Sequence, residues 1–262
     1  MPRLYPLFSG SSGNCYYIGS ANEGILIDAG RSAKQITAAL SDNELNISNV
    51  RAIFVTHEHR DHVSGLRVLA SKYGVKVYAS QGTITSMYEK DIINSSVDTA
   101  AINSSGITVG DFKVTTFRTS HDCAEGVGYV VETADGRKTA FATDTGIVTN
   151  EIMDSLCGCD TVVLESNHDV GMLQNGGYPY PLKLRILSNI GHLSNEVCAD
   201  TGAKLIKTGT TRIILAHISK QNNIPILAEQ ASVCTFTENK LKRNIDYKLY
   251  VADESGNKPI IY

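Results

Sequence analysis

Three of the seven histidines in this chain lie within six consecutive positions. Residues 57–62 read His-Glu-His-Arg-Asp-His and directly follow an apolar run typical of a buried strand. Imidazole and carboxylate groups are ligands for first-row metals such as zinc, manganese and iron. We expect His57 and His59 to project the same way, while Asp61 and His62 lie one turn further along and face a second ion. The alternative is a polar loop whose histidines cap the following helix.

Three more ligand candidates follow predicted strands. His121 comes after strand 112–117, Asp144 after a strand ending at residue 142, and His217 directly after a strand ending at residue 216. Strand ends are rigid, and the loops beyond them are open to solvent, as a reactive metal requires. Each residue alone is also compatible with a helix cap or a hydrogen-bonded core group. Together with the histidine-rich loop they favour a metal site.

Short apolar strands alternate with helical patterns along the chain. The predicted strands are 24–28, 51–55, 76–78, 112–117, 127–133, 138–142, 160–165 and 213–216, and the predicted helices are 32–40, 63–73, 180–190, 194–207 and 225–240. Periodicity alone indicates only a mixed α and β protein. We find no repeat and no long linker, and therefore predict a single domain over residues 1–262.

Composition excludes some classes of protein. No run of apolar residues approaches the length of a membrane span, so no membrane association is predicted. The six cysteines form no CxxC pair, which predicts reduced, mostly buried thiols in a cytoplasmic protein. Cys157 and Cys159 are an alternative soft-metal pair, but no second cysteine pair completes such a site. No protein partner can be inferred.

Charge is unevenly distributed, although the net charge is only −3. Residues 182–220 contain six basic side chains and two acidic ones, a local balance of +4. This segment is either a phosphate-attracting surface or, more commonly, the solvated faces of helices.

The chain resembles the metallo-β-lactamase fold superfamily in the order of its ligand candidates, which are Asp28, His57, His59, Asp61, His62, His121, Asp144 and His217. Further motifs resemble the YycJ/WalJ-like branch: Phe-Ser-Gly-Ser-Ser-Gly-Asn at 8–14, Leu-Glu-Ser-Asn-His-Asp at 164–169, Gly-His-Leu-Ser-Asn at 191–195 and His-Ile-Ser-Lys-Gln-Asn-Asn at 217–223. That branch contains bacterial metal-dependent nucleases, described as 5′-to-3′ exonucleases on duplex DNA.

The resemblance implies a four-layer α/β/β/α sandwich and a site for two divalent metal ions, zinc or manganese, with iron as a further candidate. In this family pattern the first metal is held by His57, His59 and His121, and the second by Asp61, His62 and His217. Asp144 bridges the two, and Asp28 orients a ligand histidine. Asp61 also accepts a hydrogen bond from the attacking water.

The resemblance also implies a general acid. His192 resembles the proton donor of the transfer-RNA 3′-processing nucleases, and Glu165 resembles the carboxylate that orients it. The alternative is that His192 caps the helix near residue 194. Asn14, Asn167 and His168 are candidate substrate-binding residues, although all three are also typical of turns.

The predicted function is therefore that of a metal-dependent phosphodiesterase, most specifically an exonuclease on duplex DNA ends. The separation of Asp144 and His217 leaves no room for the inserted cap domain of RNA-processing members. One alternative is a small-molecule hydrolase of the same fold, either a cyclic phosphodiesterase or a thiolesterase. The other is a metal-stabilised binding module without activity, which a site with open coordination positions disfavours.

Overall fold

Two β-sheets form the frame of the computed structural model, which describes residues 3–261. The first sheet contains β1 (Arg3–Phe8), β2 (Cys15–Gly19), β3 (Gly24–Ile27), β4 (Val50–Phe54), β5 (Lys76–Ala79), β6 (Thr99–Ala101) and β14 (Ile260–Ile261). The second contains β7 (Ile107–Val109), β8 (Phe112–Arg118), β9 (Val127–Thr133), β10 (Lys138–Ala142), β11 (Thr161–Glu165), β12 (Arg212–Ala216) and β13 (Lys248–Val251).

Each sheet combines an antiparallel part and a parallel part. The first has the strand order β14-β1-β2-β3-β4-β5-β6 and is parallel from β3 to β6. The second has the order β13-β12-β11-β10-β9-β8-β7 and is parallel from β10 to β13. Parallel strands bring their carboxyl ends to one edge of a sheet, and this edge is where ligands bind in open α/β sheets.

The sheets stack face to face, and helices cover both outer faces. The helices are α1 (Ala33–Asp42), α2 (Arg60–Val63), α3 (Leu66–Tyr73), α4 (Gln81–Glu89), α5 (Asn150–Leu156), α6 (Val170–Asn175), α7 (Tyr180–Ile186), α8 (Asn195–Lys207) and α9 (Pro225–Glu238), with a 3₁₀ turn at Ile47–Asn49. The core between the sheets includes Phe54 and Tyr129, whose ring centroids are 5.6 Å apart. One outer core buries α1, α3 and α4, and the other buries α5, α8 and α9. The predicted four-layer sandwich is thus confirmed.

Two predicted helices differ from the observed ones. The predicted helix 63–73 is interrupted, because the backbone at Gly65 passes against the 29–31 segment. A Cβ atom at Gly65 would lie 2.1 Å from the Arg31 carbonyl oxygen. The predicted helix 180–190 ends at Ile186, since the His192 amide turns back to the Ile186 carbonyl at 3.0 Å. Both breaks shape the functional edge of the molecule.

The cysteines are all unpaired, but they are less buried than expected. Cys15, Cys159 and Cys198 are buried, whereas Cys157 and Cys234 are exposed. Within residues 3–261, no group of side chains that could hold a metal includes Cys157 or Cys159, so the structure does not support the soft-metal alternative. None of the helices in that range combines the length and the apolar character that crossing a membrane demands.

Candidate metal centre

The predicted ligands meet where strands from both sheets end. The loop 56–62 leaves β4, and Asp28 follows β3 in the same sheet. From the second sheet come His121 after β8, Asp144 after β10 and His217 after β12. The first half of the chain therefore supplies one side of the cluster, and the second half supplies the other.

Three of these residues adopt a backbone conformation that residues other than glycine usually avoid. Asp28, Asp144 and His217 have φ values of 62°, 56° and 54°, in the left-handed region. Such conformations are uncommon outside glycine and concentrate at functional sites. Here each one turns the chain sharply at the end of a strand.

The histidine-rich loop is anchored at its base to both sheets. The backbone amide of Thr56 donates to Asp28 Oδ1 at 2.8 Å, and His62 Nδ1 lies 2.7 Å from Asp28 Oδ2. From the opposite sheet, the Tyr129 hydroxyl donates to the Val55 carbonyl at 2.6 Å. These contacts fix where the loop starts and how its last histidine is oriented.

Four buried or nearly buried histidines share one arrangement, in which the Nδ1 atom faces a hydrogen-bond acceptor of the protein. The pairs are His57 with Thr56 Oγ1 (3.1 Å), His62 with Asp28 Oδ2 (2.7 Å), His121 with the Gly191 carbonyl (3.1 Å) and His217 with Glu165 Oε1 (2.8 Å). We assign the proton of each neutral ring to Nδ1 from these contacts. Nε2 then carries no proton and has a free lone pair, as in metal-ligating histidines.

The lone pairs converge on oxygen atoms that also lack a hydrogen. His62 Nε2 lies 3.2 Å from Asp144 Oδ2, and His217 Nε2 lies 3.4 Å from Asp61 Oδ2. His57 Nε2 and Asp144 Oδ2 are buried without a hydrogen-bond partner in the described structure. Buried acceptors facing one another require either extra protons or a cation between them. The residues therefore fit divalent metal ions of the kind that imidazole and carboxylate bind.

The ligand atoms form overlapping groups, in each of which they lie within 4.8 Å of one another. One group is His57, His59 and His121, and another is Asp61, His62 and His217. Asp144 joins His57 and His62, one member of each group. The structure thus brings together the two ligand sets that the family resemblance implies, with Asp144 between them.

Electrostatics in the cluster also favour a cation. Burial disfavours the charged form of His62, but the nearby carboxylates, first Asp28 and then Asp144, raise its pKa well above the ordinary value. Burial lowers the pKa of His57 well below it. Burial likewise opposes ionisation of Asp144, yet His217 and His62 hold the pKa of that carboxyl well below its usual range. A metal ion would take the place of the imidazolium protons, so its binding would release them.

The helix-capping alternative is not supported for either histidine region. His59 is the N-cap residue of α2, but its side chain makes no capping hydrogen bond. Helix α8 is capped by Ser194, whose hydroxyl accepts from the Val197 amide, and not by His192. Both histidines instead line the cavity beside the cluster.

Glu165 contacts two histidines at once. Its Oε1 atom lies 2.8 Å from His192 Nδ1 and 2.8 Å from His217 Nδ1. Its Oε2 atom accepts from the Thr145 and Leu193 amides. Burial disfavours the ionised form, but His192 and the hydrogen bonds lower the pKa of Glu165 to about 2. The sequence predicted the contact with His192, whereas the contact with His217 is an additional finding.

The predicted substrate-binding residues lie in three different environments. Asn167 lines the cavity, which has a volume of about 250 Å³. Asn14 is fully buried, and its side-chain amide nitrogen lies 3.1 Å from His62 Nε2, so it contacts the cluster from the protein interior. His168 is buried, does not line the cavity, and has neither ring nitrogen hydrogen-bonded in the described structure. Direct contact with a substrate is therefore open to Asn167 alone among these three.

The basic segment 182–220 does not form one surface. Arg185 lines the cavity and Lys220 follows the cavity residue Ser219, but both form ion pairs, with Asp122 and Glu254 respectively. The other four basic residues are Lys183, Lys204, Lys207 and Arg212. The last three lie near the end of α8 and the start of β12, away from the strand ends that carry the site. Sequence analysis also missed Tyr178 and Leu182, which line the cavity from the segment around α7.

Comparison with known proteins agrees with this geometry. The family model of the metallo-beta-lactamase superfamily matches residues 9–217. Exodeoxyribonuclease YycJ of Bacillus anthracis is 44% identical over 227 residues, which are 86% of this chain and 85% of that protein. Exodeoxyribonuclease WalJ of Streptococcus pneumoniae is 36% identical over 258 residues, 97% and 95% of the two chains.

A solved structure supports the fold independently of sequence. The metallo-beta-lactamase fold protein YhfI of Bacillus subtilis superimposes with a TM-score of 0.72, covers 98% of each chain and is only 14% identical. The matched residues 9–217 include every ligand candidate named above. The chain therefore belongs to the metallo-beta-lactamase superfamily, and within it to the YycJ/WalJ branch of metallohydrolases that the sequence motifs predicted.

Proposed function

We propose that this chain is a dinuclear metal-dependent phosphodiesterase that acts as a 5′-to-3′ exonuclease on double-stranded DNA. The observation that carries the proposal is the pair of ligand groups joined through Asp144. The names of two relatives, both exodeoxyribonucleases, support DNA as the substrate class. The polarity and the preference for duplex ends rest on the resemblance to the YycJ/WalJ branch. The unpaired cysteines fit a cytoplasmic protein, where thiols stay reduced.

A pair of divalent ions, zinc, manganese or iron, would supply Lewis acidity and a water activated at neutral pH. The residues that would hold them are His57, His59 and His121 on one side and Asp61, His62 and His217 on the other, with Asp144 between. Asp61 is the most exposed carboxylate of the cluster, with 25% of its side chain accessible. It is therefore placed to accept a hydrogen bond from the attacking water and to direct it.

His192 is the proposed proton donor to the departing oxygen. It lines the cavity, and Glu165 holds its Nδ1 atom at 2.8 Å. An ionised carboxylate on Nδ1 stabilises the imidazolium and leaves Nε2 to give its proton to the leaving group. Glu165 is fully buried and has a pKa of about 2, so it stays ionised during this transfer.

The test is digestion of duplex DNA labelled at one end. With Mn²⁺ or Zn²⁺ present, a label at the 5′ end should be released as a mononucleotide at the earliest times, while a label at the 3′ end should remain in long products. His59→Ala and Asp144→Asn should abolish digestion and lower the metal content measured by elemental analysis. Asp160→Asn is the matched control, because Asp160 directly precedes β11, at the opposite edge of the sheet.

Other outcomes would contradict the proposal. Early release of the 3′ label would reverse the polarity. Long fragments from both labels would indicate an endonuclease. Turnover of a chromogenic phosphodiester that excess DNA does not inhibit would instead favour the small-molecule hydrolase.

A further inference from the structure

Two cavities flank helix α2 and adjoin the catalytic cavity. One, of about 560 Å³, includes His59 in its lining, and the other, of about 550 Å³, includes Asp61. Both are lined by Arg60 and Ser64, so together they surround α2. Their volumes are typical of ligand-binding cavities. We call this pair of cavities the Arg60 groove.

The Arg60 groove contains two arginines without an ion pair in the described structure, although Glu58, Asp91 and Asp61 also line it and Glu58 is paired with Lys90. Arg60 and Arg67 line it and are exposed, and neither forms an ion pair with a carboxylate of residues 3–261. By contrast, Arg185 on the other side of the metal centre has its guanidinium held by Asp122, with one contact at 2.7 Å. An unpaired guanidinium beside a site for phosphodiesters is available to bind a phosphate through two parallel hydrogen bonds.

The rest of the lining also suits a nucleotide strand. Ser11 lines the second cavity, and hydroxyl groups commonly contact phosphate oxygens. The hydroxyls of Ser12 and Ser32 in the same lining already donate to Glu254 and Gln35. Val63 and Val68 line the first cavity, and 52% of Val68 is exposed. An apolar wall next to cationic and hydroxyl groups matches the alternation of sugar and phosphate along a nucleic acid backbone.

We infer that the Arg60 groove binds the sugar–phosphate backbone of the DNA strand that reaches the metal centre, with Arg60 and Arg67 each contacting one phosphate. The identity of the polymer rests on the proposed function. The DNA path then lies on the α2–α3 side of the molecule, rather than along the basic segment 182–220 that the sequence suggested.

The experiment measures equilibrium binding of the metal-loaded protein to a fluorescent duplex with phosphorothioate linkages, which resist cleavage. The affinity is followed by anisotropy over a series of salt concentrations. The binding constant falls as salt rises, and each lost contact with duplex phosphate makes the slope of log K against log salt less steep by about 0.9. Arg60→Ala with Arg67→Ala should therefore make it less steep by about 1.8. The double variant should bind about 60-fold more weakly at 0.1 M salt, with the difference closing toward 1 M.

Two further variants separate a phosphate contact from an effect of net charge or of folding. The double variant Arg51→Ala with Arg137→Ala removes the same charge at the opposite edge of the sheets and should keep the wild-type slope. The double variant Arg60→Lys with Arg67→Lys keeps both positive charges, so its salt slope should match that of the wild type.

The variants would overturn the inference in either of two ways: a salt slope that Arg60→Ala with Arg67→Ala leaves unchanged, or equal losses in the Arg51/Arg137 control. A wild-type protein that does not bind the duplex would also overturn it. The proposed function is tested separately, by the digestion assay. If the protein is not a nuclease, native DNA stays intact in that assay even when the protein binds the duplex.

Discussion

Replacing Asp28 by asparagine tests how the metal centre is held. Asp28 accepts from the Thr56 amide at 2.8 Å, from the Thr56 hydroxyl at 2.9 Å and faces His62 Nδ1 at 2.7 Å. An asparagine of the same shape keeps one acceptor oxygen and replaces the other by a donor. If its oxygen stays on the Thr56 amide, its NH₂ group meets His62 Nδ1. The imidazole then moves its proton to Nε2 and loses the lone pair that would bind a metal.

Loss of such an orienting carboxylate costs about 10- to 100-fold in metal affinity, which is about 1.4 to 2.7 kcal/mol. The complete burial of this network places the expected loss for Asp28→Asn toward the upper end of that range. Affinity is measured by competition with a colorimetric chelator at fixed pH. Asp160→Asn is the control, because Asp160 also accepts from a backbone amide, that of Lys138, but far from the cluster.

A variant Asp28→Asn that retains wild-type zinc and manganese affinity would refute this reasoning. It would mean that His62 keeps its tautomer without Asp28, or that His62 is not a ligand. Thermal unfolding of wild type and variant in the presence of chelator shows whether the fold itself has changed.

The remaining predictions concern Glu165 and an ion pair at the surface. His192→Gln should lower the turnover by about 10²- to 10⁴-fold with unchanged metal content, whereas Glu165→Gln should lower both, because Glu165 also contacts His217. Elemental analysis beside the digestion rate separates the two, and equal metal content in both variants would contradict the double role. Hydrogen bonds from Lys220 and Ser12 lower the pKa of Glu254 to about 2, so the stabilising contribution of its ionised form is present above about pH 4.5 and disappears as the pH falls toward 2. Urea denaturation at pH 7 should show Glu254→Gln less stable by under about 1 kcal/mol, since the pair is exposed, and the difference should narrow in acid; a constant difference would contradict this origin.

The strands that precede the ligands could be predicted from local patterns, whereas β1, β2, β6, β7, β13 and β14 could not, and the four-layer arrangement was implied only by the family resemblance. The strands that end at the metal centre are apolar and short, and the ligand types follow them directly, so their order along the chain specified both the family and the cluster. The break between α2 and α3 could not be predicted, because it depends on the backbone of residues 29–31 passing against Gly65. Periodicity describes one segment at a time and contains no information about such approaches.

The site was predictable in its ligands and less so in its surroundings. Asn14 was a candidate for substrate binding, but it is buried and its side-chain amide contacts His62, which only the packing of the loop reveals. The charge count over residues 182–220 could not show that Arg185 is neutralised by Asp122, 63 positions earlier in the chain. Arg60 and Arg67 stand out only once ion pairs across the structure are known.

Neither sheet alone supplies all the ligands, because the group His57, His59 and His121 and the group Asp61, His62 and His217 each take members from both halves of the chain. Metal binding should therefore hold the two sheets together at the edge where the site lies. A fragment ending between the halves would lose the ions together with the second sheet and the helices that cover it. The stability gained from metal binding would depend on how much metal the cell supplies.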